Sequence, residues 1–451
     1  MNVASTQPSV TRKWTVVSLL ALGMVIAYVD RANISVVLAL KEFRLEFHLS
    51  DLDRGFLNSA FFWTYALLQI PAGWVVDRYS VKFPYAIGFL FWSLTSAATG
   101  LVQNIGQLFS ARLLLGVGES ITTVASLRWI RFHCAEHERG LATGILFSGT
   151  KFGAALGVPV AAILVSRFDW RSMFVILGLG GLVWLAAWLV FVKNSDARAL
   201  PSPGTRQTAA PVTVRNAPSR SRFRSGTEPR ASASGGTESP APPPKSIGLA
   251  AMMRTKTMWG IILGTFAYNY FIYFCLTWLP AYLVEAKHLS LKSMGIYTMF
   301  SFGGMAVVGI LAGWSSDRLI RSGSNPVRVR KIFTIMGFIA ASTEIFGATS
   351  HSQSVSLFFA LFSLAGLGLA TANYWALTQT IVPANTIGRV IGVQNFSSNC
   401  SGIVAPILTG WLKQVTGSYQ APMFAVLIVL ILGVFSYGFL VKQEIRQFEA
   451  Q

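Results

Sequence analysis

Apolar runs of roughly twenty residues recur along almost the whole chain, set apart by short polar segments. A run of about that length spans the hydrocarbon core of a bilayer as one helix. The pattern predicts spans at 14–40, 53–77, 83–103, 106–130, 140–166 and 171–192, then at 257–285, 292–315, 331–350, 354–382, 387–412 and 420–441. Between the two sets, residues 194–256 are rich in Pro, Ser, Gly and Arg, as in "SRSRFRSGTEPRASASGGTESPAPPPK". Such a segment has too few large apolar residues to order itself. The expected architecture is an all-α membrane protein of twelve transmembrane helices. It comprises a six-helix half at 1–193, a disordered basic linker at 194–256 and a second six-helix half at 257–451.

Composition agrees, with 53% hydrophobic and only 12% charged residues, where a soluble chain carries about 25% charged. A net charge of +19 would suit nucleic acid, but the positions of the charges argue for a bilayer. With a cytoplasmic N-terminus, and with charges at span ends counted to the nearer side, 26 of the 37 Lys and Arg fall on the cytoplasmic side, 8 outside and 3 deep within spans. Leaving out the eleven between the sixth and seventh spans (193–256) still gives 15 against 8, the sense of the positive-inside rule. Both termini are therefore expected in the cytoplasm, and no nucleic-acid partner is expected. The first apolar run is too long for a signal-peptide core and lacks an A-x-A site. Cys134, Cys275 and Cys400 are too scattered for a metal cluster, and the five histidines fall mostly in or near loops. With no nucleotide-binding fingerprint or nucleophile constellation, neither an enzyme nor a bound metal or cofactor is expected. Any energy source is then a gradient rather than ATP.

The two halves repeat each other. "GWVVDRYSVK" (73–82) ends the second span and "GWSSDRLIRS" (313–322) ends the eighth, and both read G-W-x-x-D-R. Agreement of sequence and position points to an internal duplication. Small residues such as Gly73 and Gly313 let helices approach closely. Asp77, Arg78, Asp317 and Arg318 are gating candidates, expected to tie the halves together at the cytoplasmic ends when a central cavity faces outward. Loop capping is the plainer alternative for them.

Five charges lie deep in spans: Asp30, Arg31, Arg112, Glu119 and Lys151. Each costs about 2.5–3.5 kcal/mol at a helix centre on insertion scales, so together they would cost on the order of 15 kcal/mol facing lipid. They are expected to pair or to line a cavity. Arg112 and Glu119 are seven residues apart, on one face of one helix, while Asp30 and Arg31 diverge by about 100° and can border one cavity.

Twelve helices, a central loop and paired G-x-x-x-D-R turns resemble the major facilitator superfamily. More narrowly, "YVDRANISV", "FFWTYALLQIPAGWVVDR", "ARLLLGVGES", "NYFIYFCLTWLPAYL" and "QNFSSNCSGIVAPILTG" resemble the anion:cation symporter family. Bacterial D-galactonate, hexuronate and glucarate carriers belong to that family, beside relatives taking tartrate, phthalate or hydroxyphenylacetate. The resemblance implies a major facilitator fold. The chain is expected in a bacterial inner membrane and is expected to work as a monomer. The resemblance also implies that the first and fourth helices face one cavity, which brings Asp30, Arg31, Arg112 and Glu119 together. By the same carry-over, Asp30 and Glu119 are the proton-coupling acids, Arg31 contacts substrate, and Arg112 is the charge-pairing arginine. Two acids against three bases leave the cavity net positive, which attracts an organic anion, and a planar guanidinium suits a carboxylate.

Further substrate-binding candidates are Tyr28, Tyr65, Thr150, Asn269, Tyr273, Trp375 and Asn395, with packing as the alternative for each aromatic residue. Thr150 stands where the galactonate carrier has a glutamine, a departure that weakens a galactonate assignment. Lys151 either lines the cavity or snorkels to headgroups, and Glu344 receives no role. The expected function is proton-coupled import of a small organic carboxylate, foremost a sugar acid. The alternatives are a carrier for an aromatic or dicarboxylic acid, a drug/proton antiporter, and a non-transporting sensor on the same fold. The antiporters' G-P signature is absent from the fifth span, where Gly157 and Pro159 are separated.

Overall fold

The computed structural model describes residues 10–192, 249–382 and 387–442. Among these residues the ordered elements are all helical. The first half contains α1 (Val10–Ala39), α2 (Lys41–Glu46), α3 (Asp51–Tyr79), α4 (Lys82–Thr99), α5 (Ile105–His133), α6 (Glu136–Arg167) and α7 (Trp170–Phe191). The second contains α8 (Leu249–Met253), α9 (Lys256–Ala281), α10 (Leu291–Arg321), α11 (Pro326–Ser342), α12 (Glu344–Thr349), α13 (Gln353–Ile381), α14 (Ile387–Thr416) and α15 (Gln420–Phe435). The expected linker lies outside the described residues as far as 248. Its last residues are ordered, since α8 and the start of α9 fall within the range read as disordered.

Short polar residues set the helix starts. The Asn104, Asp169 and Asn325 side chains accept the N–H of the residue three further on, at 2.9, 2.6 and 3.1 Å. Each satisfies one of the donors that a helix N-terminus leaves free. Ser50 and Asp53 form a reciprocal capping box at the start of α3. α1, α3, α4, α5, α6 and α7 are the spans of the first half. Those of the second are α9, α10, α11 continued by α12, α13, α14 and α15, so the described residues supply the twelve spans expected. Nine of these spans are apolar enough to cross a membrane by composition alone. The remaining three, α3, α4 and α14, carry more polar residues, including Asn58 and Gln69 in α3 and Gln394, Asn395 and Asn399 in α14.

The duplication is explicit in the packing. In each half the first span packs on the fifth (α1 on α6, α9 on α14), the second on the fourth (α3 on α5, α10 on α13), and the third between the fourth and sixth. The halves meet through α3 against α14 and α6 against α10, each time the second span of one against the fifth of the other. Close approach needs small residues. A Cβ on Gly153 would lie 2.6 Å from the Tyr28 Cβ, so a side chain there would prise α6 from α1.

Two ends of the bundle can be distinguished. One holds both G-W-x-x-D-R copies and is called the motif end; the other is the far end. At the far end a Cβ on Gly55 would meet the Pro406 carbonyl at 2.6 Å, and one on Gly295 would meet the Pro159 Cα at 2.9 Å. The two halves are in backbone contact there.

Candidate functional site

Asp30, Arg31, Arg112 and Glu119 are all buried. Arg31 projects from α1 toward α5 and donates Nε–H to the Glu119 carboxylate at 2.7 Å. Its guanidinium lies over three rings, with centroids at 4.7 Å for Tyr28, 4.5 Å for Phe61 and 4.5 Å for Tyr65. Quadrupolar faces attract a cation. Asp30, one residue earlier, faces α4 instead. Its carboxylate accepts from Ser96 Oγ at 2.9 Å and from Asn33 Nδ2 at 3.4 Å. Neighbouring residues on α1 therefore hold opposite charges in different surroundings, one acid bonded by neutral donors and one by an arginine.

The expected partner of Glu119 needs correction. Arg112 shares its helix face but stands seven residues away, about 10 Å along the axis, and it is Arg31 that reaches the carboxylate. Arg112 Nε has no hydrogen-bond partner and neither does Glu119 Oε1. Arg112 is nevertheless near enough to act electrostatically on both acids, and Phe61 lies 5.7 Å from its guanidinium. One ring thus stands beside both arginines.

The other candidates distribute around this centre. Tyr65 stacks on Phe61 with centroids 5.1 Å apart and shares a hydrogen bond with Thr123 at 3.3 Å. Tyr273, from the second half, packs edge-on to Phe62 of the first at 4.5 Å. The Asn395 amide donates to Gln69 Oε1 at 2.8 Å, which joins α14 to α3. Thr150 and Asn269 bond to carbonyls of their own helices, those of Phe147 and Thr265, at 2.8 and 3.0 Å. Trp375 is half-buried against Tyr374. Lys151 is half-buried on α6. Glu344 opens α12, just past the helix break at Thr343, and its Oε2 lacks a partner.

At the motif end the four gating candidates make their contacts within their own halves. Asp77 pairs with Arg128, and Asp317 with Arg330 at 3.5 Å. Arg78 and Arg318 lie over Tyr79 and Trp314. Among the described residues, the ion pairs that join the halves all lie at the far end. There Glu285 meets Arg54 at 2.7 Å and Arg44 at 3.3 Å, while Lys413 meets Asp51 at 2.8 Å. Lys413 and Tyr419 of the second half also bond Glu285, at 3.0 and 2.8 Å. Sequence reasoning missed this cluster because charges at span ends read as topology. It also missed Gln69 and Ser96, whose roles depend on partners 326 and 66 residues away. An arginine one residue into a span's apolar part, as Arg54 is, was the available signal.

A family model described as Major Facilitator Superfamily matches residues 20–406. The chain belongs to the Major Facilitator Superfamily. It is an integral membrane protein and a transporter rather than an enzyme. Over 435 residues it is 30% identical to a probable L-galactonate transporter of Escherichia coli (strain K12), covering 96% of this chain and 90% of the relative. It is 28% identical to a hexuronate transporter of Bacillus subtilis (strain 168), covering 90% of each. In fold it matches the crystal structure of a bacterial homologue of the human lysosomal transporter Spinster, with TM-score 0.76, 15% identity and coverage of 97% and 99%.

Proposed function

We propose that this transporter is a proton-coupled symporter that imports a small organic carboxylate, foremost a sugar acid, by alternating access. The observation that carries the reading is the buried Arg31–Glu119 pair, with its guanidinium enclosed by three aromatic rings. A guanidinium so held offers two parallel N–H donors, the geometry that a carboxylate accepts. In the present conformation one of its donors is taken by Glu119. Protonating Glu119 removes the charge that holds Arg31 and releases the fork to a substrate carboxylate. Substrate bound on Arg31 in turn favours the protonated acid, because the coupling of two ligands is reciprocal. Asp30, bonded by Ser96 and Asn33 rather than by an arginine, is the second proton site. The galactonate and hexuronate transport of the relatives supports a sugar acid as cargo.

The Lys and Arg excess supports an orientation with the motif end and both termini in the cytoplasm, and the bacterial relatives support a bacterial inner membrane. In that orientation the far-end ion pairs tie the halves together on the outer side. Opening outward requires the far-end pairs to break and the G-W-x-x-D-R turns to engage across the halves. One chain contains every group the cycle uses.

Uptake into proteoliposomes tests the proposal. Radiolabelled galactonate, glucuronate, glucarate, tartrate and phthalate are compared with and without an inward proton gradient, beside Asp30→Asn and Glu119→Gln. The expected result is gradient-driven accumulation of a sugar acid that is lost in both variants while exchange survives in at least one. Protein that moves none of these acids but exports organic cations would overturn it.

A further inference from the structure

We infer that Lys151 is the receptor for a second anionic group on the substrate, so that the preferred cargo is a dianionic sugar acid of the aldarate type. This rests on the reading of the protein as an organic-acid carrier. The position of Lys151 on α6 is the first argument. Ala155, Val158 and Ala162 lie four, seven and eleven residues further on, hence on its own face of the helix, and all three are buried. At the level of Ala162 that face meets α10, because a Cβ on Gly295 would lie 3.6 Å from the Ala162 Cβ. Toward the motif end the same face opens. Phe147, four residues back, is 41% exposed, and a Cβ on Gly144 would meet nothing within 4 Å. Lys151 therefore stands where the two halves part.

The lipid-exposed face of α6 lies elsewhere. It carries Phe152, Leu156 and Ile163, at 55%, 44% and 52% exposure. Lys151 is offset from the middle of that face by about 120°. Snorkelling into headgroups does not account for a lysine on the inter-half face.

Charge is the second argument. Lys151 has no ion pair or hydrogen bond among the described residues, whereas Arg31 is met by Glu119. An ammonium in a membrane-embedded wall needs a counter-anion, and the described residues supply none beside it. Height is the third. α6 runs parallel to α1, and Gly149 and Gly153 flank Lys151 where α6 meets Ala21 and Val25. Arg31 is about seven residues further along α1, on the order of 10 Å nearer the far end. A six-carbon chain with a carboxylate at each end, hydroxylated between, spans that interval once the lysine stem extends toward it. One carboxylate then meets Arg31 and the other Lys151.

The test is proteoliposome uptake of galactarate and galactonate, a diacid and a monoacid of the same carbon skeleton, under one proton gradient. The wild-type kcat/KM is expected to favour galactarate. Lys151→Gln is expected to lower the galactarate-to-galactonate ratio at least tenfold, and Lys151→Arg to keep it within threefold of wild type. A wild type that prefers galactonate, or a Lys151→Gln ratio unchanged while uptake persists, overturns the role of Lys151. A wild type that accumulates neither these nor any other carboxylate overturns the organic-acid reading itself. If Lys151→Gln does not insert, the wild-type preference and the Lys151→Arg ratio still decide.

Discussion

Replacing Glu285 by glutamine should loosen the far end of the bundle. Glu285 accepts from Arg54 at 2.7 Å and from Arg44 at 3.3 Å, both in the other half. Arg54 is almost wholly buried, while the Glu285 side chain keeps 13% exposure. Removing one partner of a fully buried pair costs about 3–5 kcal/mol. Here glutamine retains an accepting oxygen, Asp51 still bonds Arg54 at 2.6 Å, and water reaches part of the cluster. A charge-assisted hydrogen bond is roughly twice as strong as a neutral one, so the loss across the interface is about 2 kcal/mol. At 1.4 kcal/mol per tenfold, the closed-to-open ratio of the far end falls about thirtyfold. Spin labels at Gln103 and Lys292, exposed at the far end of each half, would report it by pulsed electron paramagnetic resonance. Cys134, Cys275 and Cys400 are replaced first. A longer-distance population should grow in Glu285→Gln. Glu46→Gln is the control, because Glu46 pairs with Arg171 of its own half at 2.7 Å at the same end. An unchanged distribution in Glu285→Gln, or an equal shift in Glu46→Gln, would refute the view that this cluster holds the halves together.

Three further outcomes are expected. Arg31→Lys keeps the charge but loses the planar fork enclosed by Tyr28, Phe61 and Tyr65, so the KM for a carboxylate substrate should rise at least tenfold; an unchanged KM in uptake assays would remove Arg31 from the binding site. Gly55→Ala drives a methyl into the Pro406 carbonyl across the interface, 2.6 Å from the ideal Cβ position, so the same spin-label pair should show a larger open fraction, and a wild-type distribution would refute the tight contact. Asp169→Ala removes the acceptor for the Ser172 N–H and should cost about 1 kcal/mol. The backbone bond from Ser172 holds the Asp169 carboxyl below its ordinary pKa. Its stabilisation is thus complete above the ordinary aspartate range and lost as pH falls through the depressed value. The gap in melting temperature between wild type and Asp169→Ala should therefore narrow only in strong acid, and a gap that closes near pH 6 would contradict the cap.

The number of spans and their grouping in two sets could be read from the chain, because crossing hydrocarbon requires runs of apolar residues whatever their partners. The repeat of G-W-x-x-D-R disclosed the duplication, and the identical packing of the two halves carries it into three dimensions. The cost of burying Asp30, Arg31, Arg112, Glu119 and Lys151 marked them as charges that must pair or line a cavity, and it was the family resemblance that grouped the first four. The sequence could not determine which arginine meets Glu119. Helical spacing aligns Arg112 with it, but alignment on one helix still leaves about 10 Å to cross, and an arginine on a neighbouring helix comes closer. Nor could it determine that charges are tied across the halves by Arg54, Glu285, Asp51 and Lys413 rather than by the G-W-x-x-D-R turns. Those ties join residues up to 362 positions apart, and they depend on which end of the bundle is closed. That is a property of how two rigid halves lean on each other, and one amino-acid sequence encodes more than one such arrangement.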